Sequence, residues 1–265
     1  MTVTAATGNS VQAPEVGADP AMNSVLGKAK LILEAYTATD NALSLSDLVR
    51  RTGVAKATVH RLAHELVGWG VLERVDGGYR LGLRLFEMGQ RVPRQRILRE
   101  AALPYMEDLL LATRETIHFA VHDGLDVLYV EKIIVHRGLS GQSRIAGRLP
   151  LYCTATGKVI LAFSAPSLFE EVVRGGLAPL TRHTITSPAL LAEQLARVHS
   201  QHLAAECEET RLGYASLAVP VYGGGSTVAG ALSITAPTCR MNVAKMSGLL
   251  RSAGLAISRS LRLAG

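Results

Sequence analysis

The 265-residue chain has only three cysteines, Cys153, Cys207 and Cys239, far apart and in no paired spacing. That argues against a disulfide framework or a zinc site and fits a reducing cytoplasm. Aromatic residues make up 5% of the sequence, so a core must come from Leu, Val, Ile and Ala. No run of about 18 uncharged apolar residues occurs, which excludes a membrane-spanning helix. Residues 1–21 lack the basic patch and apolar stretch of a secretory signal, and they lack helical periodicity. A disordered arm is expected there. Catalytic signatures are missing too. No serine sits in a nucleophile elbow. Gly157-Lys158 lacks the upstream glycine and following Ser/Thr of a phosphate loop. His60 and His64 are four apart without an HExxH motif, and His118 and His122 have no evident third ligand. No catalytic constellation assembles, so neither an enzyme nor a cofactor nor a metal is expected.

What is present is a lopsided charge. The formal net charge is +6, and residues 22–99 hold 13 Lys/Arg against 7 Asp/Glu. The remainder of the chain is nearly balanced. A basic excess confined to one third is the footprint of a segment that meets a polyanion.

That third reads as a winged helix-turn-helix. Val25, Leu26, Ala29, Ile32, Leu33 and Tyr36 recur at helical spacing. Ser44-Leu45-Ser46-Asp47 has the capping-box pattern that opens a second helix, and Gly53 stops it. A third helix runs from about Ala55 to Val67, with Val59, Leu62, Ala63 and Leu66 as its buried stripe. Two short strands then flank Asp76-Gly77-Gly78, a hairpin turn in which glycine accepts positive φ. In this order the third helix enters the major groove. Lys56, Thr58, His60 and Arg61 fall off the buried stripe, and Ala57 is small enough to approach a thymine methyl. Arg61 can fork onto guanine O6 and N7. Arg74 and Arg80 on the hairpin are placed to touch flanking backbone.

The rest reads as an α+β domain with an antiparallel sheet. Strands are expected at 116–121, 127–135, 216–221 and 228–235, and helices at 98–113, 155–163, 189–199 and 243–261. The domain plan is an arm over 1–21, a DNA-binding domain over 22–82, a connector helix and linker over 83–97 with Pro93 breaking its path, and an effector and oligomerisation domain over 98–265.

The segments "SVLGKAKLILEAY", "TGVAKATVHRLAHELVGWGVLER" and "YRLGLRLFEMG" resemble the N-terminal domain of the IclR family of regulators. "GRLPLYCTATGKVILA" and "ECEETRLGYASLAVPVYGGGSTVAGALSITAP" resemble that family's effector domain. The resemblance spans about residues 22–262. It implies a GAF-like effector domain, a homodimer or dimer of dimers, and a repressor or activator that binds a palindromic double-stranded DNA operator under the control of a small metabolite. It also implies that Ala155, Thr156, Glu206, Ser216, Ser233 and Thr235 contact the effector, with backbone amides at a helix N-terminus facing a carboxylate. Glu206 stands where the family commonly has Asp, Ser216 where it has Cys, Thr235 where it has Ser, and Tyr152 where it has His. These departures argue against a very small acid such as glyoxylate. They favour a larger carboxylate, aromatic or from ring cleavage, with Leu139, Ile145 and Leu149 as an apolar wall. Two other readings stay open: an enzyme fused to a winged helix used for protein contacts, and a redox switch at Cys153, whose place before a helix N-terminus would lower its pKa.

Overall fold

A computed structural model describes residues 23–134, 145–225 and 227–263, which fall into two units divided between Val92 and Pro93. The expected arm over 1–21, Leu139 and Val135 lie outside these residues.

The first unit is built from α1 (Val25–Glu34), α2 (Leu45–Thr52), α3 (Lys56–Gly68), the β1 (Leu72–Val75) and β2 (Gly78–Leu81) hairpin, and α4 (Leu83–Gln90). Its core joins Ile32, Leu48, Val59, Leu62, Leu66, Leu72 and Tyr79. Local chemistry sets each boundary. The Ser44 hydroxyl accepts from the Asp47 amide and the Asp47 carboxylate takes the Ser44 amide, which satisfies two first-turn donors of α2. Gly53 ends that helix at φ +67°, a conformation costly for other residues. α3 runs through Gly68 to a cap at Trp69, one residue past its expected end at Val67. The wing is pinned to the entry of α2, because Leu43 and Tyr79 exchange backbone hydrogen bonds of 2.8 and 2.9 Å. A Cβ on Gly78 would lie 2.2 Å from the Leu43 carbonyl, so only glycine fits there.

The second unit begins with α5 (Pro93–Thr113), five residues before the expected start. Pro93 opens this helix and does not break the path, since a proline at the first helical position loses no hydrogen bond. The basic run over 94–99 is therefore helical. Six strands follow: β3 (Thr116–Asp123), β4 (Asp126–Ile133), β5 (Arg148–Pro150), β6 (Ala204–Cys207), β7 (Tyr214–Tyr222) and β8 (Val228–Pro237). They form one antiparallel sheet in the order β5-β4-β3-β8-β7-β6. Helices α6 (Ala155–Ala162), α7 (Pro166–Gly175) and α8 (Pro188–Gln201) lie between β5 and β6 in the chain, and α9 (Val243–Leu263) closes it. α5 and α9 pack on one face of the sheet, over Ile117, Phe119, Leu217, Val219, Leu232 and Ile234. α6 packs on the other, over Ala120, Ala204, Ala218 and Ala231. No helix among the described residues is long and apolar enough to cross a membrane.

Candidate functional site

In the first unit, α3 buries Val59, Leu62, Ala63 and Leu66 and so turns the intervening residues outward. Lys56, Ala57, His60 and Arg61 are exposed and Thr58 is half-buried. Two of the expected contact arginines are already engaged. The Arg61 guanidinium donates to Glu65 at 2.6 Å, one turn further along α3. Arg80 reaches across the hairpin to Glu73 at 2.6 Å, and Glu73 also accepts the Leu83 amide at 3.1 Å. Arg74 lies over the Tyr79 ring, 5.9 Å from its centroid. Exposed pairs of this kind contribute little to stability. They do fix where each guanidinium points. The sequence pattern identified the basic side chains but not their acidic partners.

In the second unit, a cavity of about 620 Å³ opens on the α6 face of the sheet. Ala155, Thr156, Glu206, Ser216, Ser233 and Thr235, six positions expected to act together, all line it. Pairing register explains the gathering. Glu206 lies opposite Ser216, Ser216 opposite Thr235, and Ser233 opposite His118. Neighbouring strands β6, β7, β8 and β3 put these polar residues on one face, because side chains alternate along a strand. The floor is thus a row of polar side chains joined edge to edge. The Ser216 hydroxyl donates to Glu206 Oε1 at 2.7 Å and lies 3.0 Å from the Thr235 hydroxyl, which is 3.5 Å from His118 Nδ1.

The first turn of α6 forms one wall. Thr154 caps it by accepting from the Gly157 amide at 3.0 Å. Gly157 is required, since its Cβ would lie 2.2 Å from the Leu151 carbonyl. A helix start offers N–H groups and a favourable dipole to an anion. Tyr129 and Leu149 close another side. Two loops complete the rim, one with Leu180 and Thr181, the other with Thr210, Arg211 and Leu212. Threonine hydroxyls tie the loops together: Thr181 donates to the Glu208 carbonyl and Thr184 to the Glu209 carbonyl, both at 2.6 Å. The Arg211 guanidinium stacks over Tyr214, 4.6 Å from its ring centroid.

Glu206 is buried, and burial pushes its carboxyl up to about 7, against the pull of the Ser216 hydroxyl and the Glu209 amide. Behind it, the fully buried Lys158 of α6 donates to Glu209 and, at 2.8 Å, to Gln194. Lys158 is thus held by side chains of the fold itself. Burial likewise raises the Tyr129 phenol, although the neighbouring Thr156 hydroxyl opposes the shift.

Three sequence-based details need correction. Tyr152 is buried away from the cavity; its hydroxyl donates to the Ala178 carbonyl at 2.6 Å and anchors the rim loop from behind. Ile145 is exposed and outside the cavity lining, so Leu149 alone of the described apolar candidates reaches it. Cys153 is fully buried, and desolvation drives its thiol up to about 12, the reverse of the lowering expected beside a helix N-terminus. A buried neutral thiol is a poor redox sensor. Conversely, His118, Tyr129, Arg211 and Tyr214 line the cavity without having been singled out as contacts. Only the pairing of β3 beside β8 brings His118 there, and strand order is not written in local spacing.

Residues 25–76 match the IclR helix-turn-helix domain, and residues 90–259 match the bacterial transcriptional regulator IclR C-terminal domain. The chain belongs to the IclR family. It is 32% identical over 240 residues to the HTH-type transcriptional regulator XynR of Escherichia coli (strain K12), covering 88% of this chain and 95% of that one. It is 31% identical to the DNA-binding transcriptional repressor YiaJ of the same organism, covering 91% and 89%. Among solved structures, an IclR homolog from Microbacterium hydrocarbonoxydans complexed with 4-hydroxybenzoate superposes with a TM-score of 0.85 at 33% identity, covering 91% of this chain and 100% of that one. The Thermotoga maritima IclR gives 0.75 at 27% identity, covering 89% and 98%. As an IclR-type protein the chain is a transcriptional regulator, with a helix-turn-helix that binds DNA and an effector domain for small molecules. The relatives named here are regulators and not enzymes.

Proposed function

We propose that this IclR-type regulator acts in the cytoplasm as a homodimer or dimer of dimers on a palindromic operator, and that the 620 Å³ cavity takes a small carboxylate from a catabolic pathway. The observation that carries the second part is the gathering of a helix start, Ala155 and Thr156, and a polar floor, Glu206, Ser216, Ser233 and Thr235, around one cavity. The volume suits a monocyclic acid. The 4-hydroxybenzoate bound by the Microbacterium homolog is of that class. On the DNA side, Lys56, Ala57, Thr58, His60 and Arg61 form the reading surface, with Arg74 and Arg80 beside the backbone. Arg61 must exchange Glu65 for a base edge, so its selectivity includes the loss of that pair. Effector binding shifts the population of DNA-competent conformers, and DNA in turn alters effector affinity by the same factor.

The test is selection of genomic fragments retained by the purified protein at about 150 mM salt, where nonspecific phosphate binding is weak. A shared palindrome released by a carboxylate supports both parts. Recovery of no common sequence, with and without the carboxylates, overturns the operator reading. Arg61→Ala should lose about 1–3 kcal/mol and relax base preference, whereas Lys56→Ala should weaken all sequences evenly and flatten the salt dependence. An unchanged sequence profile for Arg61→Ala removes it from the reading surface.

A further inference from the structure

Glu206 is a buried acid on the floor of a cavity whose other wall is a helix start suited to anions. A second negative charge in that space would face the first at close range in a poorly solvated site. Two like charges so placed do not both persist; the site sheds one by protonation. We propose that Glu206 takes up a proton as the effector's carboxylate enters, so that the cavity binds the anion and a proton together. The inference rests on the cavity being the carboxylate site.

Two features of the geometry support it, and the electrostatics of the site agree. The floor row can carry either charge state. With Glu206 ionised, the Ser216 hydroxyl donates to it; with Glu206 neutral, Glu206 donates to Ser216 and the Ser216 hydroxyl turns toward Thr235. Neither state leaves a broken bond in the row. Next, the charged groups around Glu206 nearly cancel before a ligand arrives. Glu209, from the loop after β6, raises its affinity for a proton, while Lys158 of α6 lowers it and is already paired with Glu209. Among the described residues, no cation is therefore dedicated to Glu206. Cys153 ahead of α6 and Tyr129 of β4 are held neutral by burial. His118 of β3 sits three hydrogen bonds along the row, and Arg211 faces the cavity from its rim, stacked on Tyr214. The carboxyl of Glu206 already titrates near neutrality. A small further push from a bound anion is enough to keep it protonated.

Linkage sets the sign. Below the free-protein transition Glu206 is already neutral and affinity is flat. Above it, binding must draw a proton from solvent, so affinity falls about tenfold for each further pH unit. A ligand that instead presents a hydroxyl donor to Glu206 would bind more tightly as pH rises.

The experiment is calorimetric titration of the full-length protein with benzoate and with 4-hydroxybenzoate between about pH 6 and pH 8.5, in buffers of differing ionisation enthalpy. We expect affinity to be about thirtyfold weaker at the upper end than at the lower, with uptake approaching one proton per ligand near pH 8. Glu206→Gln should abolish both the uptake and the pH dependence, and should bind more tightly than the parent at the upper end. Ser216→Ala removes a bond that favours the ionised acid and should move the break to higher pH. Wild-type affinity that is flat or rises with pH, with no proton uptake, overturns the proposal while leaving the cavity reading intact. Absence of binding to either acid at every pH overturns the cavity reading itself. The wild-type uptake measurement decides the matter even if a variant fails to fold.

Discussion

The two faces of the six-stranded sheet are made from the same strands and do different work. Along β8, Leu232 and Ile234 point into the layer beneath α5 and α9, while Ala231, Ser233 and Thr235 point to the α6 side. Along β7, Leu217 and Val219 alternate with Ser216 and Ala218 in the same way. One face is filled with branched aliphatics. The other carries alanines, hydroxyls, an acid and a histidine, and it leaves room for about 620 Å³ of cavity. Large side chains hold a fold by close packing; small and polar ones give up that packing to make space and directed bonds. A two-residue period lets one strand serve both ends at once. The comparison predicts that apolar-face changes act on stability and polar-face changes act on ligand binding.

The largest effect should come from the exception to that division, the fully buried Lys158 on the polar side. Lys158→Ala would leave Glu209 buried without its cation, at a cost of about 3–5 kcal/mol in denaturant unfolding. A loss below about 1 kcal/mol would show that the pair is dispensable and that the polar face carries no structural duty. Next, Leu232→Ala opens a hole among fully buried neighbours and should cost about 2–5 kcal/mol. If its cost matched that of a cavity-side change such as Ser216→Ala, the contrast between the faces would fail.

Much of this contrast was legible in the chain, and the gaps have physical causes. The alternation in Ser216 to Val219 and Ala231 to Thr235 marks a strand with two unlike faces, and Ser44 with Asp47 marks a helix start. Those are local signals. β5 is three residues long and β6 four, too short for a period to show. α7 opens with Pro166 but has no side-chain cap at Ala165 to mark its start. The cavity required more than alternation. His118 joins it because β3 pairs with β8, a contact between residues more than a hundred apart in sequence. Tyr152 sits within two residues of Thr154, yet it turns to the far side to hold Ala178, which spacing alone does not reveal.

Intermediate in size is the pH dependence that Glu206 imposes on folding. Burial raises its carboxyl from 4.5 to about 7, so the native state holds a proton that the unfolded chain has released between those values. Stability from this group is therefore greatest below about pH 4.5, falls as pH rises toward 7, and levels off above. The full change is about 3–4 kcal/mol at roughly 1.4 kcal/mol per unit. In Glu206→Gln this component should vanish, so the difference between the two proteins' unfolding free energies should vary with pH over that window. A constant difference would mean that the acid is solvated and that the cavity floor is not a buried surface.

The smallest effect on folding should come from Ser233, and it separates the faces most directly, because Ser233 lies between Leu232 and Ile234 in one strand. Its side chain lines the cavity opposite His118 in register. Ser233→Ala removes one hydroxyl and leaves the strand, the packing and the cavity wall in place. The expected change in unfolding free energy is about 0.5 kcal/mol or less. Ser233→Leu places two further heavy atoms in space meant for ligand. A void can accept that volume with little strain, so the cost in stability should stay below that of Leu232→Ala, while carboxylate affinity should fall at least about tenfold. If Ser233→Leu instead unfolds the domain and Ser233→Ala does so in part, the face under α6 is packed as tightly as its opposite, and the small residues there serve the fold and not a ligand.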